Sequence, residues 1–236
     1  MKSLRHAFAW TLALACAAGT ANAATIVLDF EGVNATYPSG FANVQGFYNG
    51  GTSSDGTSGT NFGVDFSDNA LAICLNTPGT TCSNTSRGGL GNPDSDKGAL
   101  FFLSGDETFM NVAAGFDTGF SFFYTAANFA GSVSVYDGLN GTGNLLATLA
   151  LPTTPSTCGP EYNAGFCPFV ASGIGFAGTA MSVSFAGVAN QVVFDDVTFG
   201  SVTPGVPVIP EPETYALMLA GLGVVATVAR RRKPMA

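Results

Sequence analysis

The sequence has very few basic residues and almost no histidine. It contains eight Lys and Arg residues against sixteen Asp and Glu, and its single histidine is His6. Between residues 24 and 203 only Arg87 and Lys97 oppose fourteen acids, which gives this stretch a net charge of about −12. Such a surface repels nucleic acid and anionic lipid and favours divalent cations or neutral polymers, although solubility outside the cell would explain it equally well.

The lack of histidine after His6 excludes most common catalytic sites from the main part of the chain. Ser-His-Asp triads, Cys-His pairs and His-ligated zinc all require a histidine. A hydrolase could still use two acids, such as Asp106 and Glu107, but these would have to flank a cleft that a sequence does not define. We therefore expect no enzymatic activity.

Residues 1–23 have the pattern of a secretory signal peptide. Two basic residues, Lys2 and Arg5, precede an apolar stretch over residues 7–18, and residues 21–23 form a small-x-small cleavage site. A lipoprotein signal at Cys16 is the alternative, but the usual leucine three positions before the cysteine is missing. The sequence therefore predicts export, with cleavage after residue 23.

Four cysteines remain after the signal, and they form two local pairs. Export makes disulfides plausible, whereas the spacing is too wide for a Cys-x-x-Cys metal site. Four cysteines allow three connectivities. Nearest-neighbour pairing is the one that we expect, namely Cys74–Cys82 and Cys158–Cys167.

Short stretches of alternating apolar and polar residues recur between residues 24 and 200, and no helical periodicity is present before residue 214. The strands predicted over residues 119–124 and 131–136 alternate clearly, and a glycine-rich turn after the second one predicts a hairpin with residues 145–151. Nine or ten such strands predict an all-β domain, a β-sandwich of jelly-roll type, over residues 24–200.

Four carboxylates near the two ends of this domain are candidate calcium ligands. Asp29 and Glu31 are two residues apart on the predicted first strand, so they are expected to share a face. Asp195 lies in an otherwise apolar row of the predicted last strand, next to Asp196, so it is expected to point inward. A buried carboxylate needs a partner, and oxygen ligands suit Ca²⁺. The alternative is that Asp195 bonds backbone amides while Asp196 faces solvent.

These acid-containing end segments resemble the structural calcium site of several carbohydrate-binding sandwiches. The resemblance implies a carbohydrate-binding-module-like fold with structural Ca²⁺. Aromatic residues of the predicted long loop over residues 31–60 could stack on sugar rings, although anchoring of the loop is the favoured interpretation. They are Tyr37, Phe41, Phe47 and Tyr48.

The C-terminal segment has three parts in a fixed order. A stiff linker over residues 201–209 leads to the motif Pro210-Glu211-Pro212, in which each proline favours extended backbone. Residues 214–229 carry no charge and predict one hydrophobic helix roughly 24 Å long, just short of the ~30 Å membrane core. A basic cluster then follows, which would stay in the cytoplasm. It consists of Arg230, Arg231, Arg232 and Lys233.

This order of motif, apolar helix and basic cluster resembles the PEP-CTERM sorting signal of Gram-negative bacteria that make exopolysaccharide. The resemblance covers residues 210–236. It implies recognition of Pro210, Glu211 and Pro212, a transient anchor in the inner membrane, and processing by an exosortase near the motif.

Together these features predict an exported structural protein of the cell surface or extracellular matrix, associated with exopolysaccharide. A carbohydrate-binding adhesin is the alternative, in which the β domain itself recognises a glycan. No nucleic-acid partner is expected, because the domain is acidic.

Overall fold

The computed structural model describes residues 25–35, 40–74, 97–126, 128–155, 169–205 and 221. These residues form twelve β-strands and a one-turn 3-10 helix, Leu139–Gly141. The strands are β1 (Ile26–Leu28), β2 (Phe41–Asn43), β3 (Val64–Phe66), β4 (Leu71–Cys74), β5 (Gly98–Phe101), β6 (Glu107–Phe116), β7 (Gly119–Thr125), β8 (Gly131–Tyr136), β9 (Leu145–Leu151), β10 (Val170–Gly175), β11 (Ala180–Gly187) and β12 (Val193–Phe199).

The strands build two antiparallel sheets within the compact unit Ala23–Ile209. The larger sheet has the order β10-β7-β12-β5-β4-β2, with β1 also paired to β12, and the smaller one has the order β3-β6-β11-β8-β9. The prediction of an all-β, sandwich-like domain is thereby confirmed. Because β1 pairs with β12, the beginning and the end of the domain lie side by side, with Leu28 opposite Val197.

The main core lies between the two sheets and is built largely from phenylalanine. Phe122 on β7, Phe185 on β11 and Phe194 on β12 are fully buried and meet edge to face. Edge-to-face pairs each add about 0.5–1.5 kcal/mol beyond the burial of their area. The side chains of β7 and β8 that alternate inward supply this core, as the sequence pattern predicts.

A second, smaller apolar cluster lies on the opposite face of the larger sheet. Ala72, Leu100 and Phe194 belong to the main core, whereas their strand neighbours pack into the second cluster. Since successive side chains of a strand point to opposite faces, this cluster occupies the outer face. Its buried members are Leu71, Ile73, Ala99, Phe101 and Val193.

A β-bulge in β12 reverses which residues face the core. Asp195 lies opposite Phe123 and Thr198 opposite Ser121, so β12 carries one extra residue between these pairs. Asp196, at the bulge, has a left-handed φ of 44°. Phe194 before the bulge and Val197 after it therefore both face the main core.

This bulge corrects the expected direction of Asp195. The side chain is buried, as predicted, but it alternates with Phe194 and so lies on the outer face, together with Val193 of the second cluster. The prediction that alternate side chains over residues 193–199 all face the core was wrong, because a bulge shifts the alternation by one residue.

Most strands agree with the prediction, and the differences are short or glycine-rich segments. The hairpin of β8 and β9 is confirmed, with Val133 opposite Leu149. β2 was missed inside the expected long loop, and β10, Val170–Gly175, was not predicted. β2 has only three residues and β10 has six, two of which are glycines, so neither strand shows enough alternation to be recognised in the sequence. β1 also ends at Leu28, before Asp29 and Glu31, which were expected to lie on the first strand.

Several predictions fall outside the described residues. They are the signal peptide, Cys82, Cys158, Cys167, Tyr37, the sorting motif, the basic cluster and, apart from Gly221, the predicted membrane helix. Within the ranges that the structure describes, no helix has the length and apolar character needed to span a bilayer.

Candidate functional site

A pocket of about 310 Å³ opens beside the end of β1. It lies between this strand end and the loop that connects β2 to β3. Carboxylates, aromatic rings and small polar residues share its lining, notably Asp29, Glu31, Phe47, Tyr48, Phe62 and the Ser58–Thr60 segment. Both predicted acids of the first strand therefore face one pocket, although β1 ends before either of them.

The connecting loop owes its shape to its own backbone hydrogen bonds. The amides of Phe62 and Val64 both donate to the carbonyl of Tyr48, at 2.8 and 3.2 Å. The amide of Gly59 donates to the carbonyl of Phe47, and a Cβ added at Gly59 would lie 2.3 Å from the Phe47 ring. Glycine is therefore needed where the ring lies against the backbone.

Tyr48 joins this loop to the end of β1. Its ring is buried, and its hydroxyl accepts a hydrogen bond from the amide of Phe30 at 2.8 Å and donates to Asp29 over 3.4 Å. Burial raises the pKa of the Tyr48 hydroxyl well above its ordinary value, and the negative charge of Asp29 raises that pKa further. Asp195 adds a smaller effect of the same sign, so both acids lie within electrostatic reach of this hydroxyl.

Phe30 has a left-handed backbone at this point, with φ of 58°. The conformation is uncommon for a bulky residue and costs of order 1–3 kcal/mol, so the surroundings must impose it. The Phe30 ring is fully buried against Tyr48 and Phe66. This turn of the backbone ends β1 and directs Asp29 and Glu31 towards the pocket.

The two pocket carboxylates accept hydrogen bonds from backbone amides. Asp29 accepts from the amide of Glu31 at 3.1 Å. The Glu31 Oε1 atom accepts from the amides of Lys97 and Gly98, at 2.5 and 2.7 Å. A Cβ at Gly98 would lie 2.2 Å from the Phe30 carbonyl oxygen, so the β1 end and the start of β5 touch backbone to backbone.

The two acids of β12 are both buried, with Asp195 fully buried and Asp196 3% exposed. Asp195 accepts a hydrogen bond from the amide of Asp196 at 2.8 Å. The alternative interpretation of Asp195, that it bonds a backbone amide, is therefore observed. Asp196 does not face solvent, because the bulge turns it into the protein.

The four predicted calcium ligands thus lie on two neighbouring segments, with Asp29 and Glu31 just after β1 and Asp195 and Asp196 at the bulge of β12. In the described part of the chain, however, no three His, Cys, Asp or Glu side chains form a group suited to hold a metal ion. Calcium binding by Asp29, Glu31, Asp195 and Asp196 stays a prediction, and the geometry of these residues supplies no ligand set of its own.

The aromatic residues of the loop differ in their exposure. Phe47 and Tyr48 are 4% and 3% exposed, so they mainly anchor the loop, whereas Phe41 on β2 is 44% exposed and packs against Phe101 of the outer face. Phe62, half-buried and stacked on Tyr48, lines the pocket and was missed from the sequence. Phe62 alternates with Val64 and Phe66 along the chain, and this pattern is typical of a half-buried strand and does not indicate a pocket.

Two further residues bear on the sequence predictions. Cys74, at the end of β4, is disulfide-bonded, and its partner lies outside the described residues. Glu107, at the start of β6, accepts a hydrogen bond from the Ser184 hydroxyl at 2.5 Å. Asp106 and Glu107 do not line the pocket described above.

Comparison with known proteins identified the C-terminal segment. Residues 208–233 match the family described as PEP-CTERM protein-sorting motif. The match confirms the sorting segment predicted from the sequence, and it implies export, membrane-anchored processing and an exosortase as the processing enzyme. It does not extend into the β domain. No curated protein sequence matches the chain.

Proposed function

We propose that this chain is an exported structural protein of the cell surface or extracellular matrix of a Gram-negative bacterium, associated with exopolysaccharide. The match to the sorting motif over residues 208–233 is the main support for the proposal, because this motif implies export of the chain. The domain that precedes it supports the structural role, since it is a phenylalanine-rich β-sandwich-like fold with a strongly acidic sequence.

We infer that the β domain has no catalytic activity. After His6 the sequence lacks histidine, which removes the most common general base. The acids of the pocket also accept hydrogen bonds from backbone amides, which is a structural use of a carboxylate.

The intact mass of the protein recovered outside the cell tests the sorting proposal. We expect a chain that starts after residue 23 and lacks the apolar helix and basic cluster. A Glu211→Ala variant should accumulate unprocessed in the membrane, while Glu213→Ala, just beyond the motif, serves as the matched control. Full-length protein in the medium would contradict the proposal.

A carbohydrate-binding adhesin is the second candidate, and the pocket beside β1 favours it. Sugar sites combine an aromatic ring with hydrogen-bonding side chains, and Phe62, Asp29 and Glu31 provide these groups. A glycan array with the processed protein tests this role. Binding should fall with Phe62→Ala and persist with Phe129→Ala, a 50% exposed ring that does not line the pocket. If the protein binds no glycan, the adhesin role is contradicted and the structural role is the remaining candidate.

Two finer features of the domain are also proposals. The pairing of β1 with β12 supports a jelly-roll type of sandwich, in which the first and last strands are neighbours. Structural Ca²⁺ at the four acids is supported by their charge and by their placement after β1 and at the bulge of the neighbouring strand β12. We further propose that the segment after the motif forms one membrane helix over residues 214–229.

A further inference from the structure

The outer strand β9 of the smaller sheet has the features of a pairing edge. β9 is paired to β8 along one side and lies at the end of the strand order. It is seven residues long and contains no charge, proline or glycine. Natural proteins usually protect such edges with charges, prolines or bulges, because an open edge pairs with another chain. Here the interruption is one register shift at the start of β9, where Leu146 is an extra residue opposite the Val135–Tyr136 step of β8.

The remaining outer strands are less suited to pairing. β1, β2 and β3 have three residues each, and β3 includes Asp65. β10 has six residues, of which Gly173 and Gly175 weaken a strand. β9 also carries Leu145, which is 56% exposed and is the most exposed large apolar side chain in the described residues.

The distribution of charge points to the same side of the molecule. From residue 118 to residue 194, the described residues carry a single charged side chain, Asp137. That stretch includes β7, β8, β9, β10 and β11. Apart from Asp137, the described acids of the domain therefore lie on other segments, whereas Glu161 lies outside the described residues. A contact through β9 thus brings few of the described acids of two copies together.

We propose that β9 pairs with β9 of a second copy of this chain, antiparallel and about a two-fold axis at Thr148. This register places Leu145 opposite Leu151 of the second copy and Ala147 opposite its Leu149. Ala147 and Leu149 pack against the main core. The register therefore keeps these two core-facing residues opposite each other, as sheet pairing requires, while Leu146 at the register shift lies opposite Ala150.

The pairing would join the two five-stranded sheets into one continuous sheet of ten strands. The contact is isologous, so it closes at the dimer and does not continue into a fibre. This inference is independent of the sorting proposal, because it rests on the edge, exposure and charge of the β domain alone.

Sedimentation of the exported, processed protein tests the proposal. We expect a monomer–dimer equilibrium that shifts towards the dimer as salt rises, since salt screens the repulsion between acidic copies. Thr148→Lys should abolish the dimer, because it places two like charges opposite each other at the two-fold axis. Thr148→Val should retain the dimer. Thr52→Lys, the same substitution at an exposed position of the loop between β2 and β3, is the matched control and should also retain it.

A short thiol-specific cross-linker tests the register. Thr148→Cys should yield a cross-linked dimer, because the two positions are opposite each other. In Ala150→Cys the two copies of the position are separated by about 13 Å along the strands, at ~3.3 Å per residue, and should not react. A parent protein that stays monomeric at raised salt overturns the proposal, as does a dimer lost in Thr52→Lys but kept in Thr148→Lys. Equal cross-linking of both cysteine variants overturns the register.

Discussion

The hydroxyl of Tyr48 offers a test of how the pocket is held together, through the substitution Tyr48→Phe. The change keeps the ring and its contacts with Phe30 and Phe66, and it removes the hydrogen bonds to the Phe30 amide and to Asp29. The Phe30 amide is buried, so the loss of this acceptor is expected to cost about 1–3 kcal/mol of unfolding free energy. For a domain of this size, that lowers the melting temperature by about 2–12 °C.

The matched control is Tyr124→Phe, on β7. The Tyr124 ring is also buried, but its hydroxyl donates at 3.1 Å to the carbonyl of Pro152, an exposed residue that water can reach. Its loss should cost less, about 0.5–1.5 kcal/mol. Thermal melts of the two variants and the parent decide the matter. A Tyr48→Phe variant as stable as the parent, or more stable than Tyr124→Phe, would refute the structural role of this hydroxyl.

Alkaline pH gives a second measure of the same group. The folded-state pKa of Tyr48 is raised, chiefly by burial, so folding favours the protonated hydroxyl. Below the unfolded-state pKa of about 10, this group adds no pH dependence to the unfolding free energy. Stability is then lost as pH rises from about 10 towards the folded-state pKa. The Tyr48→Phe variant should lose less stability over this alkaline range than the parent, and identical slopes in pH-dependent melts would contradict the assignment.

Three further measurements address the strand ends, the disulfide and calcium. Gly98→Ala should destabilise the domain severely in thermal melts, because its Cβ would clash with the Phe30 backbone. Gly175→Ala, in contrast, meets only ordinary contacts from 3.5 Å and should change the melting temperature little. Equal melting temperatures for these two variants would contradict the packing of the β1 end. A non-reducing peptide map should join Cys74 to Cys82, and a peptide joining Cys74 to any other cysteine would refute this pairing. Ca²⁺ that binds only the folded protein adds about 2.7 kcal/mol to the unfolding free energy at a hundredfold excess over the dissociation constant. The melting temperature should therefore be higher with Ca²⁺ than with EDTA. This difference should vanish in Asp195→Ala. Identical melts of the parent with EDTA and with millimolar Ca²⁺ would exclude the site.

The sequence by itself determined how the protein is sorted and which class of fold it adopts. The Pro-Glu-Pro motif, the apolar stretch and the basic cluster are contiguous, so no folding is needed to recognise them. Likewise the alternation in β7 and β8 and the turn after Tyr136 are local signals, and the structure forms the hairpin that they predict. Local patterns such as these depend on neighbouring residues along the chain, which the sequence displays directly.

Only the tertiary structure decided how the candidate site is assembled. The pairing of β1 with β12 joins residues far apart in the chain, and alternation carries no information about which strands become neighbours. The bulge at Asp196 adds one residue, which turns Asp195 to the outer face, and the left-handed backbone of Phe30 ends β1 early. Tyr48 links these features because a loop folded by its own hydrogen bonds places its hydroxyl beside Asp29. Such positions result from contacts across the sheets, and therefore from the whole fold.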